Sequence, residues 1–307
     1  GSVAPMLLGG TVVTTSKLGL NPDKLLTMIE DHKVTDLVIV GDAFARPILG
    51  ALDEAEKRGT PYRIESLKQI ASSGVMWSTE IKQGLLRHHD MVLADVMGST
   101  EGGMGSSVMT REAAASTAKF ELNEGVAVIT DDDRMVEPGS GEMGKIATSA
   151  FVPLGYYKDP EKSAAPFREV NGVRYSFPGD YATVEADGSI TLLGRGSVCI
   201  NTAGEKVFPE EVEEAVKRHE SVEDCLVVGL PDERFGERVV AVASIYENAK
   251  VSSDDVMGFT AEHLAGYKQP RQVLLVEEVR RAPNGKADYK WAKAFAEKAF
   301  VEKASAE

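Results

Sequence analysis

The chain has 307 residues and a mass of 33.0 kDa, length for about two domains of ordinary size. Hydrophobic residues make up 43% and charged residues 27%, a globular balance that excludes a disordered polypeptide. The net charge of -14 excludes sequence-independent nucleic-acid binding, which needs a basic surface to release counterions, and disfavours docking on an anionic membrane.

In chain order, Gly1-Ser2 reads as a cloning scar and Thr11–Thr15 as strand-like. Asn21-Pro22-Asp23 opens a helix, with Leu25, Leu26, Met28 and Ile29 as its apolar face. Asp36–Gly41 is a continuous apolar run, the signature of a buried parallel strand. A helix follows over about Ala45–Gly59, then a strand over Leu67–Gly74 and a helix near Ser78–His88, an α/β alternation. From about Gly125 the texture changes to alternating stretches broken by Asp131–Arg134 and Pro138–Gly141, which is antiparallel hairpin grammar. Phe208-Pro209-Glu210-Glu211 opens a helix with acids where the macrodipole favours them. Cys225–Gly229 and Val239–Ala243 read as strands, Ser252 and Asp255 have capping-box spacing, and Lys290–Lys303 reads as a surface helix.

Cys199 and Cys225 are too few for a disulfide framework, and the five histidines are scattered, so no zinc spacing is present. No apolar run reaches the ~18 residues of a membrane span, and the start lacks a signal-peptide pattern. A reducing cytoplasm is the expected compartment.

Two matches to nucleotide motifs are decoys. Gly139–Gly144 fits a dinucleotide fingerprint by letter, and Gly139–Lys145 fits most of a Walker A loop. Both need a preceding apolar strand and a following helix. Here the segment follows acids and Pro138, leads into strand-like Ile146–Thr148, and is a hairpin turn.

Four other clusters each read, taken alone, as an ordinary polar surface turn, yet each also holds residues suited to chemistry. Asp95–Gly103 is a glycine-lined turn whose Thr100 and Glu101 suit a phosphate and a magnesium ion, carboxylates being hard oxygen ligands. Gly179-Asp180 offers a carboxylate for paired ribose hydroxyls, and Gly194-Arg195-Gly196-Ser197 an arginine for sugar or phosphate. Arg281–Lys286 presents a lysine from a turn.

Together and in this order, the clusters resemble the adenylate-forming superfamily of acyl-CoA synthetases, adenylation domains and luciferases, and within it the fatty-acyl-CoA ligases. Met97-Gly98-Ser99-Thr100-Glu101 matches its aromatic-Gly-x-Thr-Glu motif, and Ser73-Gly74-Val75-Met76 its adenine loop. Gly179-Asp180 matches the ribose motif, Gly194–Ser197 the hinge, and Gly204–Glu213 the Gly-x-x-x-x-Pro-x-Glu-Val-Glu stretch of the lid. Val228–Glu233, Gly266–Arg271 and Gly285-Lys286 complete a likeness that covers essentially the whole chain.

The resemblance implies an α/β fold. Residues 1–195 would be the end of a large AMP-binding domain, mixed sheets with helices plus a small β-barrel-like part. Residues 196–307 would be a small α+β C-terminal lid. It implies that a carboxylic acid reacts with ATP to give an acyl-adenylate, which passes to the thiol of coenzyme A. Lys286 would supply positive charge to the reacting groups, Glu101 would hold Mg2+, and Thr100 would contact phosphate. Ser73, Gly74, Val75 and Met76 would frame the adenine, with Asp95, Met97, Gly98 and Ser99 forming the rest of the nucleotide wall. Asp180 would bind the ribose hydroxyls, Arg195 would support the nucleotide, and Gly204 would reach the thiol's entry after the lid turns on its hinge.

Four departures accompany the likeness. Met97 stands at the adenine-stacking aromatic, Ser197 at the usual hinge acid, and Asn201 at a lysine common after the hinge. A phosphate loop rich in Ser, Thr and Gly and ending near Pro-Lys-Gly occurs nowhere in the 307 residues. The expectation is therefore a truncated ligase with severely reduced adenylation. Two alternatives stand beside it: a non-catalytic short protein that binds adenylate, acyl chain or a partner and whose exposed apolar surface favours a homodimer or aggregation, and an adenylation module serving a carrier protein. The acid is expected to be lipid-like, with steroid side chains among the options.

Overall fold

A computed structural model describes residues 3–14, 19–247, 249–282 and 285–304. Gly1, Ser2, Thr15, Pro283 and Asn284, each part of a segment named above, lie outside them. The elements in chain order are α1 (Val3–Leu7), α2 (Pro22–His32), β1 (Asp36–Ile39), α3 (Gly41–Lys57), β2 (Gln69–Ser72), α4 (Thr79–His88), β3 (Val92–Ser99), β4 (Gly102–Met109), β5 (Lys119–Leu122), β6 (Val126–Ile129), β7 (Met143–Thr148), α5 (Pro160–Ala164), β8 (Phe167–Val170), β9 (Val173–Ser176), β10 (Asp180–Val184) and β11 (Ile190–Arg195). After a short 3-10 turn at Gly196–Val198 come β12 (Ile200–Thr202), β13 (Glu205–Val207), α6 (Pro209–Lys217), β14 (Val222–Asp232), β15 (Gly236–Ile245), α7 (Ser253–Ala261), β16 (Gln272–Val276) and α8 (Tyr289–Ala304).

β1, β2 and β3 pair in parallel. Antiparallel β4 and β5 then carry the sheet into β11, β10, β7, β9 and β8, with β6 on β7. α2, α3 and α4 cover one face of the parallel end, closing a core of Leu26, Ile29, Ile48, Leu52, Ile70, Trp77, Leu85 and Leu93. On the opposite face Val38, Ala71, Ala94 and Val108 stand in register, and Val38 is 63% exposed. The β-barrel-like part expected from the resemblance is instead an open continuation of this sheet, with no closed barrel among the described residues.

The second lobe packs β14, β15 and β16 between two helical layers. Val212 and Val216 of α6 and Val256 of α7 close one face, and Ala292 and Ala296 of α8 the other. This α+β lobe, referred to below as the lid, follows the larger sheet in the chain.

Local chemistry explains the helix starts. The Asn21 side chain accepts the Lys24 amide, Pro22 occupies the first turn, and Lys33 ends α2 at φ 51°. Ser252 and Asp255 form the capping box of α7. α3 begins at Gly41, four residues before the expected Ala45, because the Ser72 hydroxyl accepts the Gly41 amide and Asp42 joins the first turn. Thr11–Thr14 form no strand, having no pairing partner. The Asp95–Gly103 turn is narrower than anticipated. It is a β3–β4 hairpin with Thr100 and Glu101 at the tip.

Candidate adenylate site between the lobes

The first turns of α3 support one side of the site. Gly41 has φ 52°, and a Cβ there would lie 2.8 Å from the Val75 carbonyl oxygen, so only glycine lets the 73–76 segment pack this close. The Asp42 amide donates to the Met76 carbonyl at 3.2 Å, and the Asp42 carboxylate accepts the Ser78 amide at 2.9 Å. Ser73, Gly74, Val75 and Met76 are thereby held as one fixed loop, with Gly74 at φ 89°.

The lid reaches this loop through the 281–287 turn. The Arg281 guanidinium donates twice to Asp224, at 2.6 and 2.7 Å, and once to the Gly285 carbonyl at 3.2 Å. The Ala282 amide donates to the Lys286 carbonyl. Gly285 is buried, and a Cβ there would meet the Phe44 ring of α3 at 2.8 Å. Two residues further along α3, Arg46 donates to the Tyr246 hydroxyl of the lid at 2.9 Å. The result places Lys286 over the loop: its Cε lies 3.6 Å from the Cβ position of Gly74.

A second group gathers at the ends of β3, β10 and β11. Thr100 is exposed at the hairpin tip, and Glu101 is half-buried with Tyr156 donating to its carboxylate at 2.5 Å. Burial works against ionisation of Glu101, but hydrogen bonds from Tyr156 and Ser99 outweigh it, holding the carboxyl below its usual range. Asp180 accepts from Arg195 at 3.2 Å. Burial raises the Asp180 carboxyl, and the Arg195 charge only partly offsets this. The charges of Arg195 and Asp180 both act on Glu101, so the three side chains share one neighbourhood.

The remaining expected residues have other surroundings. The Asp95 carboxylate is buried against Lys82 of α4 at 3.2 Å, and burial lifts it to about 6 despite the lysine. Met97 is 7% exposed in the core with Met104, Phe120 and Val128. Gly98 lies at an irregularity in the β3–β4 register, and Ser99 Oγ accepts the Glu101 amide. Gly204 is exposed at the tip of the β12–β13 hairpin, at φ 86°, with nothing within 4 Å of its Cβ position. The structure therefore brings Gly74 and Lys286 together, and Glu101, Asp180 and Arg195 together.

Sequence reasoning passed over Asp42, Phe44 and Arg46, which with Gly41 hold the loop and the lid, and over Tyr156, which positions Glu101; it named Arg281 only as the start of a turn, not as the residue that positions Lys286. Only glycine after an apolar strand at Gly41 carried a local signal. It also passed over Lys206 of the lid, whose ammonium lies 4.8 Å from the Tyr181 ring centre and 3.8 Å from Asp131 of the large lobe.

Chemically, the arrangement suits a nucleotide ester. It offers a cation on a fixed turn, an ionised carboxylate able to hold a hard divalent ion, and a carboxylate for vicinal hydroxyls. No helix among the described residues is long and apolar enough to cross a membrane.

Residues 211–286 match the family of AMP-binding enzyme C-terminal domains. The chain is 45% identical over 309 residues to a 3-oxocholest-4-en-26-oate–CoA ligase of Rhodococcus rhodochrous, covering 95% of this chain and 55% of that protein. It is 45% identical over 291 residues to a medium/long-chain-fatty-acid–CoA/3-oxocholest-4-en-26-oate–CoA ligase of Mycolicibacterium smegmatis, covering 94% and 52%. Among solved structures, an anthranilate CoA ligase in complex with anthranoyl-AMP superposes with a TM-score of 0.81 at 22% identity, over 95% of this chain and 56% of that one. ATP-bound MatB from Rhodopseudomonas palustris gives 0.78 at 22% identity, over 96% and 56%. The structural likenesses concern the fold alone. The chain spans about half the length of the curated relatives it matches.

Proposed function

We propose that this chain belongs to the adenylate-forming superfamily, as its match to the AMP-binding C-terminal domain and its identity with acyl-CoA ligases support, and that it carries the ribose-binding and lid-lysine parts of an acid–thiol ligase that activates a lipid-like carboxylic acid with ATP and transfers it to coenzyme A. The observation that carries the reading is Lys286 of the lid seated over Gly74 of the loop anchored on α3.

In the first step the acid's carboxylate oxygen attacks the α-phosphorus of ATP and pyrophosphate leaves. Negative charge builds on the phosphate and bridging oxygens, so fixed positive charge lowers the barrier. Lys286 provides it from a turn whose position Arg281 and Phe44 set, so little reorganisation is needed. Glu101, ionised, fits a Mg2+ ligand, and the ion when bound neutralises phosphate charge. Thr100 lies beside it at the hairpin tip for a phosphate contact. Asp180 takes the ribose hydroxyls and Arg195 swings from Asp180 to the nucleotide, while Ser73, Gly74, Val75 and Met76 frame the base. In the second step the thiol sulfur attacks the acyl carbon, AMP leaves, and the thiol proton goes to solvent. Gly204 serves the thiol after the lid has turned.

The identity with ligases named for cholestenoate and for medium- and long-chain fatty acids supports a lipid-like acid. The apolar row of Val38, Ala71, Ala94 and Val108 favours self-association of two copies. The test presents pre-formed lipid acyl-adenylate and coenzyme A to the chain and measures thioester. This half-reaction needs no triphosphate cradle. Acceleration over the uncatalysed rate, dependent on Asp180, is expected. Adenylate binding without acceleration would overturn the ligase reading in favour of a binding protein.

A further inference from the structure

The hinge holds a carboxyl that the reaction does not use. Glu210, in the first turn of α6, extends from the lid onto Gly194 of β11, and its Oε2 occupies the space that a side chain at position 194 would fill. That oxygen is buried and has no hydrogen-bond partner. The backbone amides of Glu210 and Arg195 are near enough to favour the charged carboxyl, and Arg195 is the residue whose guanidinium holds Asp180. Gly194, at φ 142°, therefore does two things: it turns the strand into the hinge and leaves a cradle for a lid side chain.

An unpartnered, dehydrated carboxylate oxygen is costly, whereas the neutral acid tolerates the same place. The other groups facing it do not remove that cost. Asp180 on β10 adds negative charge, as does Glu213 one turn along α6, and the Tyr289 hydroxyl of α8 and the Cys199 thiol after the hinge are also within electrostatic reach. Among the described residues that act on it most strongly, Arg195 is the cation.

We propose that Glu210 is a positioning residue that seats the lid on the large lobe, through the Gly194 cradle and the Arg195 backbone, only while its carboxyl is protonated. Burial pushes the carboxyl up from its ordinary value of 4.5, with the amides opposing and Asp180 adding to the rise. The seated arrangement thus binds a proton that a free lid releases, so raising the pH above the ordinary glutamate range favours release of the lid. This rests on the proposed function only in taking lid movement as part of the cycle.

The experiment needs no ligand. Spin labels at Asp31→Cys and Glu262→Cys in a Cys199→Ser background report the distance between the lobes by pulsed electron resonance from pH 5.5 to 9. The unsubstituted Glu210 should give a short, narrow population at low pH that falls at least about threefold by pH 9. Glu210→Gln, neutral and of the same shape, should keep the short population throughout, and Glu210→Ala should lose both the pH response and the narrow distribution. A distance independent of pH in the parent, or an unchanged pH response in Glu210→Gln, would overturn the proposal. If Glu210→Gln does not fold, the 13C-carboxyl titration of Glu210 in the parent decides: a midpoint in the ordinary glutamate range overturns it. A lid that responds to pH in a chain that fails to bind adenylate would count against the proposed function alone.

Discussion

Lys286 and Gly74 are 212 positions apart in the chain, yet the lysine's Cε packs 3.6 Å from where a Gly74 Cβ would stand. The contact crosses the two lobes and is fixed on each side by separate hardware: Gly41 and Asp42 beneath the loop, Arg281 and Phe44 beneath the turn. A glycine is needed at 74 because the backbone there is left-handed.

Gly74→Ala should strain the loop at φ 89° by about 1 kcal/mol. Thermal unfolding should shift down by a few degrees, and adenylate affinity should fall further than stability alone accounts for. Equal affinity in the variant would remove the loop from the site.

Arg281→Lys keeps the charge but not the two-pronged grip on Asp224 with the third bond to Gly285. Stability should drop by about 2 kcal/mol. Any reaction that depends on Lys286 should slow more than it does in a surface control such as Lys290→Arg. Urea unfolding and half-reaction kinetics measure the two effects separately.

The Asp180 carboxyl is raised by burial above its ordinary 3.8, with Arg195 offsetting part of the rise. On the proposed reading Asp180 holds the ribose hydroxyls as an ionised carboxylate, so adenylate affinity should weaken as pH falls through a midpoint above 3.8. Asp180→Asn should flatten the profile and lower affinity at neutral pH. A wild-type profile unaffected by that substitution would contradict the role.

Lys82 is 1% exposed and faces Asp95. Asp95→Asn removes the titrating carboxyl while keeping its shape, so the part of the pH dependence that Asp95 contributes should disappear. The sign of the pH dependence is separate. Asp95 is raised from 3.8 to about 6, so the folded state binds its proton more tightly. Its contribution to stability is full below pH 3.8 and is lost as the pH rises to about 6. Denaturant midpoints across that window in both proteins test it.

Much of the fold was legible because it is written locally. Asn21-Pro22-Asp23 and the Ser252–Asp255 capping box each state an element within a few residues, and the Asp36–Gly41 run states a parallel strand, though not the buried one expected, since Asp36 and Val38 of β1 are exposed. The glycine-rich Gly102–Met109 strand was hidden, since Gly102, Gly103 and Gly105 have little strand propensity and are there because backbones pass close by. Motif order named candidate residues one by one, but not which of them the fold brings together. The supports (Asp42, Phe44, Arg46, Tyr156, Glu210 and Arg281) are ordinary polar or aromatic residues in sequence. They acquire a role only through partners tens to hundreds of positions away, as Arg46 does with Tyr246.

On the proposed reading the two lobes share one adenylate site. The first experiment is calorimetric titration of the chain with a non-hydrolysable lipid acyl-adenylate analogue and Mg2+, repeated on Asp180→Ala and Lys286→Ala. Binding should be saturable and one-to-one, and should weaken by at least about tenfold in each variant, as expected for loss of a charged contact. Binding that ignores both substitutions, or no binding by a folded chain, would contradict it.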